Sequence, residues 1–196
     1  MTGDPAKKAP YHHGDLRSTL VRVGRTLLET ETNPSLRAIA RAAQVSHGAP
    51  MHHFPSWAHL LAACAADGFR ELSGDLQAVD AATPETRLMD MGAAYLAFAQ
   101  RSPVVFRLMF NRSAVTVRTE EFQRDSSAAY HLLQHAVRAT DPGMSDARFD
   151  ALINTVWALI HGISVLELEQ QICRSAEDIT DTRDFLRHGL RQLIQP

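Results

Sequence analysis

The sequence contains little cysteine, few aromatic residues and no long hydrophobic run. Its 196 residues include two cysteines, Cys64 and Cys173, and 7% aromatic residues. Because neither cysteine belongs to a Cys-x-x-Cys pair or a disulfide framework, we expect a reducing compartment and two core cysteines. Every apolar run ends well before the ~20 residues of a membrane span, and the N-terminus lacks the apolar core of a secretory signal. These absences predict a soluble cytoplasmic protein with no membrane contact.

Acidic and basic residues are nearly balanced over the whole chain but not along it. The formal net charge is −2, whereas residues 1–56 hold seven Lys or Arg against four Asp or Glu, a balance of +3 that leaves −5 for the remainder. Five of the ten histidines also fall in residues 1–56. This asymmetry favours an anionic partner for the N-terminal part, although a solvated basic helix face has the same signature.

Hydrophobic residues recur at helical spacing, and no segment alternates as a strand does. Capping residues and prolines divide the pattern into helices at about 15–32, 36–43, 47–54, 57–78, 85–101, 103–111, 119–139, 146–171 and from Asp178 or Thr180 to Ile194. The sequence therefore predicts an all-α protein of about nine helices. We expect a flexible arm at 1–10, a three-helix head at 11–56 and a helical body at 57–196, with the helix 57–78 connecting the two.

The head has the layout of a helix-turn-helix, in which a short turn joins the second helix to a recognition helix. Ser35 is the expected N-cap of the second helix and Ser46 that of the third. The turn between the two helices leaves one face of the third free for the major groove, where Gly48 allows a close backbone approach and Met51 can contact a thymine methyl group. The predicted DNA-binding residues are Ser35, Ser46, His47, Gly48, Met51, His52 and His53.

Three segments of the head carry a resemblance to a known family. They are Tyr11-His12-His13-Gly14-Asp15-Leu16-Arg17, Ser35-Leu36-Arg37-Ala38-Ile39-Ala40-Arg41-Ala42-Ala43 and Val45-Ser46-His47-Gly48-Ala49-Pro50-Met51-His52-His53-Phe54-Pro55. Over about residues 11–77 the sequence resembles the DNA-binding head of bacterial TetR-type transcriptional regulators. The resemblance implies a recognition helix at about 46–53, with positions 35, 47, 48, 51 and 53 facing a double-stranded DNA operator.

The head departs from the pattern of that family at three positions. Gln44 stands in place of a turn glycine, Met51 in place of a tyrosine and Trp57 in place of a lysine. Either Gln44 adopts the left-handed conformation at ~1 kcal/mol, or the turn differs slightly from that of the family. The missing lysine removes one phosphate contact, which lowers the salt dependence of DNA binding without abolishing it.

The last two predicted helices are expected to form a homodimer. The helix 146–171 is apolar on more than one side, and its Ala158 and Gly162 allow close helix approach. Together with the helix 178–194 it predicts a twofold interface, which would place two recognition helices on palindromic half-sites about 34 Å apart. A small, largely apolar effector that favours another spacing would then release a repressor from DNA. The pattern Trp157-x-x-x-His161-Gly162, with Tyr95-Leu96-Ala97-Phe98-Ala99 and Pro103–Phe110, resembles the WHG-type C-terminal domain of one branch of the family.

Aromatic and polar side chains on the apolar helices are candidates for an effector pocket. Asn154, Trp157 and His161 share one face of a helix, where a buried water or an interhelical hydrogen bond would satisfy them equally well. The predicted pocket residues are Tyr95, Phe98, Phe106, Met109, Tyr130, Asn154, Trp157 and His161, with Phe69, Met89 and Phe122 in a wider set. For most of these residues, a position in the hydrophobic core explains the pattern equally well.

No group of residues has the spacing of a catalytic site. His131 and His135 lie four positions apart, but no further ligand is near them in the sequence. We therefore expect no enzyme, no metal and no cofactor. The alternative function is a helical ligand-binding protein that has lost its DNA binding, since Gln44, Met51 and Trp57 all lie in or next to the head.

Overall fold

The computed structural model describes residues 13–32, 34–172 and 181–194. Within them the chain forms nine α-helices and no β-strand, which confirms the all-α prediction. The helices are α1 (His13–Thr30), α2 (Leu36–Ala42), α3 (Ala49–His53), α4 (Trp57–Gln77), α5 (Pro84–Arg101), α6 (Pro103–Phe110), α7 (Glu120–Thr140), α8 (Asp146–Leu168) and α9 (Thr182–Ile194). The predicted arm at 1–10 and the two proposed starting points of the last helix, Asp178 and Thr180, lie outside the described residues.

Helix α4 lies at the centre of the molecule and connects the head to the body. It packs against α1 of the head and against α5, α6 and α7 of the body, while α5 packs on α8 and α9. Cys64, near the middle of α4, is fully buried, and burial raises the pKa of its thiol to about 12. Such a thiol is inert at neutral pH, as expected of a core cysteine; Cys173 lies outside the described residues.

Two helices end on a glutamine in the left-handed conformation. Gln44 follows α2 with a φ of 56°, and Gln170 follows α8 with a φ of 55°. Beside Gln44, the amide of Val45 donates to the carbonyl of Ala40 at 3.0 Å, and beside Gln170 the amide of Gln171 donates to that of Leu166 at 2.8 Å. These are the bonds of a Schellman motif, which satisfies the last carbonyls of a helix. Of the two alternatives that the sequence left open at Gln44, the structure shows the left-handed conformation.

The recognition helix is shorter than predicted. The sequence predicted a helix at 47–54 with Ser46 as N-cap, but α3 begins at Ala49 and its N-cap is Gly48. Pro50 lies in the first turn, where a missing N–H is harmless, so the proline sets where the helix begins. Tertiary packing then holds α3 in place, because Pro50 and Phe54 are buried and the Arg17 guanidinium lies 5.2 Å from the centre of the Phe54 ring.

Helix α8 is the one helix of the described residues whose length and composition would allow it to cross a membrane. A core helix of a soluble protein meets the same criterion. Most of α8 is not buried within this single protomer.

Candidate nucleic-acid interface and ligand cavity

Most of the predicted DNA-binding residues of the helix-turn-helix are exposed to solvent. Ser35, Ser46, His47, Gly48, Met51 and His52 are all exposed, whereas His53 is half-buried. Met51 is the most exposed large hydrophobic residue among those described, at 59%. Six of the seven predicted DNA-binding residues are thus solvent-exposed.

Gly48 lies at an exposed position where the protein itself does not need a glycine. Its φ of −79° is open to any residue. No atom of the described residues lies within 4 Å of a Cβ built on Gly48. A side chain here would instead extend into open space.

The side chain of Ser35 already has a role in the fold. Its hydroxyl accepts a hydrogen bond from the amide of Ala38 at 3.3 Å and so caps α2. Two arginines of α2, Arg37 and Arg41, are exposed and form no ion pair with any described residue. They are additional candidates for phosphate contacts. Trp57 is half-buried and packs against the hydrophobic core at the start of α4.

A cavity of about 460 Å³ lies among the helices of the body. Its lining residues come from α4 to α8 and from the α6–α7 loop: Phe69, Leu72, Leu76, Met91, Tyr95, Met109, Phe110, Asn111, Arg112, Val115, Arg118, Phe122, Ser126, Ser127, Ala129, Tyr130, His131, Leu133, Trp157 and Ile160. This volume falls within the range of small-molecule sites.

Half of the eight predicted pocket residues line this cavity: Tyr95, Met109, Tyr130 and Trp157. Phe98 and Phe106 are instead fully buried core residues. Asn154 is exposed, and its side chain donates to the carbonyl of Asp150 on the same helix at 2.7 Å. In the wider set, Phe69 and Phe122 line the cavity and Met89 lies in the core.

The eighth predicted residue, His161, stands behind the cavity wall. Its Nδ1 atom lies 2.9 Å from the hydroxyl oxygen of Tyr95, so an interhelical hydrogen bond joins α8 to α5. Burial lowers the pKa of His161 and raises that of Tyr95, so both side chains are neutral at physiological pH. The imidazole ring also packs against Phe110, with 4.5 Å between ring centres. This bond pairs the Nδ1 atom of His161 with the hydroxyl group of Tyr95 without placing a charge in the wall.

The family model of the tetracyclin repressor-like C-terminal domain matches residues 88–193, which is more than half of the chain. This chain belongs to the TetR family of transcriptional regulators. Comparison with curated proteins gave no significant match. The resemblance to the WHG-type branch stays a prediction.

Solved structures share the TetR-family fold over nearly the whole chain. A protein of unknown function from Rhodococcus sp. RHA1 is 26% identical, with a TM-score of 0.77 over 95% of this chain and 97% of that one. A tetR-family transcriptional regulator from Streptomyces coelicolor is 18% identical, with a TM-score of 0.73 over 93% of this chain and 82% of that one. A TetR transcriptional regulator from Rhodococcus sp. RHA1 is 16% identical, with a TM-score of 0.63 over 93% and 97%.

In this TetR-family chain, ion pairs join the head to the body. Arg25 of α1 contacts Asp67 and Glu71 of α4 at 2.6 Å each. Arg70 of α4 contacts Asp67 at 2.8 Å, and it also contacts two residues of α7, Glu121 at 2.9 Å and Asp125 at 3.1 Å. Arg17 of α1 pairs with the same Glu121. Arg101 of α5 extends the set to Glu71 at 2.9 Å and Asp75 at 2.7 Å. These residues form what we term the ionic network.

Three carboxylates of the ionic network, those of Asp67, Glu71 and Glu121, are held in the charged form. Burial by itself would raise the pKa values of Asp67, Glu71 and Glu121. Hydrogen bonds from the arginines outweigh this effect, so the pKa of each carboxyl lies below its usual value. The network therefore stays intact through the physiological pH range.

Sequence reasoning missed the polar edge of the cavity. Asn111, Arg112 and Arg118 belong to the α6–α7 loop, and Ser126, Ser127 and His131 belong to α7. A loop has no hydrophobic period that would point to a cavity, and the nearness of the loop to α4 and α8 depends on the packing of distant helices. His131 was considered only as half of a metal pair with His135, which does not line the cavity.

Proposed function

We propose that this TetR-family regulator is a homodimeric repressor that binds a palindromic operator and leaves it when a small molecule enters the cavity of the body. The observation that carries the DNA-binding part is the free surface of α3, where Gly48 and the exposed Met51 have no role in the packing of the chain. The cavity in the body supports the effector part. In general, members of the family are DNA-binding proteins rather than enzymes.

The free surface of the helix-turn-helix has the chemistry of a groove-binding element. Arg37 and Arg41 are exposed and offer positive charge to phosphates. His47 and His52 can form hydrogen bonds with base edges, and Met51 can pack against a thymine methyl group. The proposed contact set is Ser35, Ser46, His47, Gly48, Met51, His52 and His53, with the exposed Arg37 and Arg41 as further candidates.

The exposed apolar side of α8 and α9 favours a twofold dimer. Val165, Leu166 and Phe185 are 38%, 41% and 36% exposed, which is unusual for large apolar residues on neighbouring helices. Ala158 is also exposed, and no atom of the described residues lies within 4 Å of a Cβ at Gly162. A second copy of the same surface would cover these residues and explain why most of α8 is not buried in one protomer.

The ionic network provides a physical link between the cavity and DNA binding. Phe69 lines the cavity, while Asp67, Arg70 and Glu71 on the same part of α4 hold Arg25 and Glu121. On α7, Phe122 lines the cavity and its neighbour Glu121 holds Arg17 of the head. A ligand that displaces α4 or α7 must therefore move the ion pairs that orient α1. In a dimer this changes the spacing of the two recognition helices.

Selection of random double-stranded oligonucleotides by the full-length protein tests the DNA-binding part. We expect an imperfect palindrome with half-sites about one helical turn apart. Replacing Arg37 with Gln should weaken binding to all sequences and lower the salt slope by about one unit, whereas Arg87→Gln on α5 should change neither. Failure to enrich any sequence at any salt concentration would reject the regulator and favour the alternative, a helical ligand-binding protein without DNA binding.

A charge placed in the proposed interface tests the dimer. Leu166→Arg should convert the protein to monomers in sedimentation experiments and abolish operator binding with it, because one head alone makes half of the contacts. Ala139→Arg places the same charge on an exposed position of α7 and should leave the dimer intact. A dimer that survives Leu166→Arg would assign the interface to another surface.

A further inference from the structure

We infer that the effector is an amphipathic anion, with an apolar body inside the cavity and a carboxylate or phosphate group held by Arg112 and Arg118. This inference rests on the proposed function, because it specifies the ligand of the same cavity. It replaces the largely apolar effector expected from the sequence with one that carries a negative charge at one end.

The buried part of the cavity wall is apolar. Leu72, Met91, Met109, Phe122 and Ile160 are each less than 5% exposed. Tyr95 is the one polar side chain among the buried lining residues, and its hydroxyl is already bonded to the neutral His161. A charged group on this side would lose its hydration without gaining a partner. The structure therefore favours a hydrocarbon or aromatic group here.

The exposed part of the wall is polar and cationic. Arg112, Arg118 and His131 are exposed and line the cavity, beside Asn111 and Ser127. Neither arginine forms an ion pair with any of the described residues, although Arg25, Arg70, Arg101, Arg107 and Arg138 of the same chain all do so. Their guanidinium groups are thus available for a carboxylate or phosphate, which they bind in a fork geometry.

Local structure holds the two arginines at the edge of the cavity. The side-chain oxygen of Asn111 accepts hydrogen bonds from the amides of Ser113 and Ala114, each at 3.0 Å, which fixes the turn that contains Arg112. The guanidinium of Arg118 lies 5.5 Å from the centre of the Phe122 ring, and Phe122 lines the cavity. Val115, between the two arginines, is buried and anchors the loop.

No Asp or Glu is present among the described residues that line the cavity. Glu121 and Asp125, which flank the lining residue Phe122 along α7, are bound to Arg70 in the ionic network. A cationic ligand would therefore meet like charge at the edge of the cavity and no compensating carboxylate. An anion meets two unpaired guanidinium groups, so the sign of the ligand charge follows from the cavity itself.

Calorimetric titration of the full-length protein tests this inference with four probes that share one chain length. Decanoate and decyl phosphate carry the two anionic groups, decan-1-ol is neutral, and decyltrimethylammonium is cationic. We expect both anions to bind at least about tenfold more tightly than the alcohol, and the cation to bind more weakly than the alcohol. The anion affinities should fall as salt is added, while the affinity of the alcohol should not.

Charge-neutral variants locate the binding group. The double variant Arg112→Gln, Arg118→Gln should lower the affinity for decanoate about tenfold and leave that for decan-1-ol unchanged, so that the preference for anions disappears. Arg87→Gln removes an exposed cation of α5 that does not line the cavity, and it should change neither affinity. Circular dichroism of each variant establishes that it folds.

Equal binding of the anions and the alcohol, or an anion preference that survives in the double variant, would overturn the inference. So would a failure of all four probes to bind. These outcomes differ from a failure of the proposed function, which is measured separately by operator selection and by sedimentation. A protein that selects an operator but binds decan-1-ol as well as decanoate would keep the regulator and lose the anionic effector.

Discussion

The residues that we assign to function are exposed to solvent in the head, whereas in the body they line a cavity. Met51 and His52 are exposed on a helix that is held by the buried Pro50 and Phe54. In the body, Phe69 and Phe122 face the cavity and at the same time belong to the hydrophobic core. Substitutions in the head can therefore separate function from stability. In the body the same side chains serve both purposes.

Glycines show the same difference. Gly48 in the head has open space where a Cβ would be, while a Cβ on Gly68 in the body would lie 2.6 Å from Val105 and 2.7 Å from Met109. Gly68 permits the close approach of α4 and α6. The packing of the chain explains the glycine of the body but not that of the head, for which we propose a contact with DNA.

The largest expected effect comes from removing one buried aromatic side chain from each region. Phe54→Ala in the head and Phe98→Ala in the body each delete a buried ring, and we expect each to lower the free energy of unfolding by about 3–5 kcal/mol in urea titrations. Phe54→Ala should in addition abolish operator binding under conditions where the body is still folded. A loss of less than about 1 kcal/mol for Phe54→Ala would mean that α3 is held by something other than this packing.

The two glycines provide the next test. Gly68→Ala should lower the free energy of unfolding by about 1–2 kcal/mol, because the clash with Val105 and Met109 exceeds the gain in helix propensity. Gly48→Ala should change stability by less than about 0.5 kcal/mol and weaken operator binding by more than about tenfold. Thermal denaturation and DNA titration measure the two effects. Operator binding that is unchanged in Gly48→Ala would contradict a close approach of DNA at this residue.

Acid should loosen the ionic network between head and body. The folded-state pKa values of Asp67, Glu71 and Glu121 lie below the unfolded values of about 4, so the folded state binds fewer protons. The stabilisation is thus fully present above about pH 4–5 and is lost as the pH falls through the lowered values. In urea titrations between pH 7 and 3, the free energy of unfolding should fall less in Glu71→Gln than in the wild type. The difference between the two proteins should be below about 1 kcal/mol, because these groups are partly exposed.

An exposed carboxyl provides the control for this experiment. Asp80→Asn changes a side chain that forms no ion pair with any described residue, and its pH profile should follow that of the wild type. A profile for Glu71→Gln that also follows the wild type would show that the network contributes nothing to stability.

The smallest effect is expected at the two left-handed glutamines. Gln44→Gly in the head and Gln170→Gly in the body should each raise the free energy of unfolding by about 0.5 kcal/mol, because glycine adopts a positive φ without strain but loses more entropy on folding. Differential scanning calorimetry can resolve the shift in Tm. A loss of stability at Gln44 alone would mean that its side chain has a contact that the head requires.

Much of the local structure could be predicted from the sequence. Several features depend on residues within a few positions of one another: the cap at Ser35, the helix ends next to prolines and the turn at Gln44. One local prediction was wrong, because α3 begins at Ala49 and not at 47, with Pro50 in its first turn. Four predicted pocket residues line the cavity, but Phe98 and Phe106 do not. Hydrophobic periodicity identifies the buried face of a helix, but it does not distinguish a face that packs against another helix from one that lines a cavity.

The sequence by itself determined most of the helices, the cap at Ser35 and the resemblance to the TetR family, since these follow from local spacing and from motifs that are continuous in the chain. Only the tertiary structure decided which side chains surround the cavity, that Arg112 and Arg118 stand at its edge, and that Arg17 and Arg25 connect the head to α4 and α7. These features join residues that are up to 104 positions apart, as for Arg17 and Glu121. Contacts of such separation arise from the packing of whole helices, which no short stretch of sequence encodes.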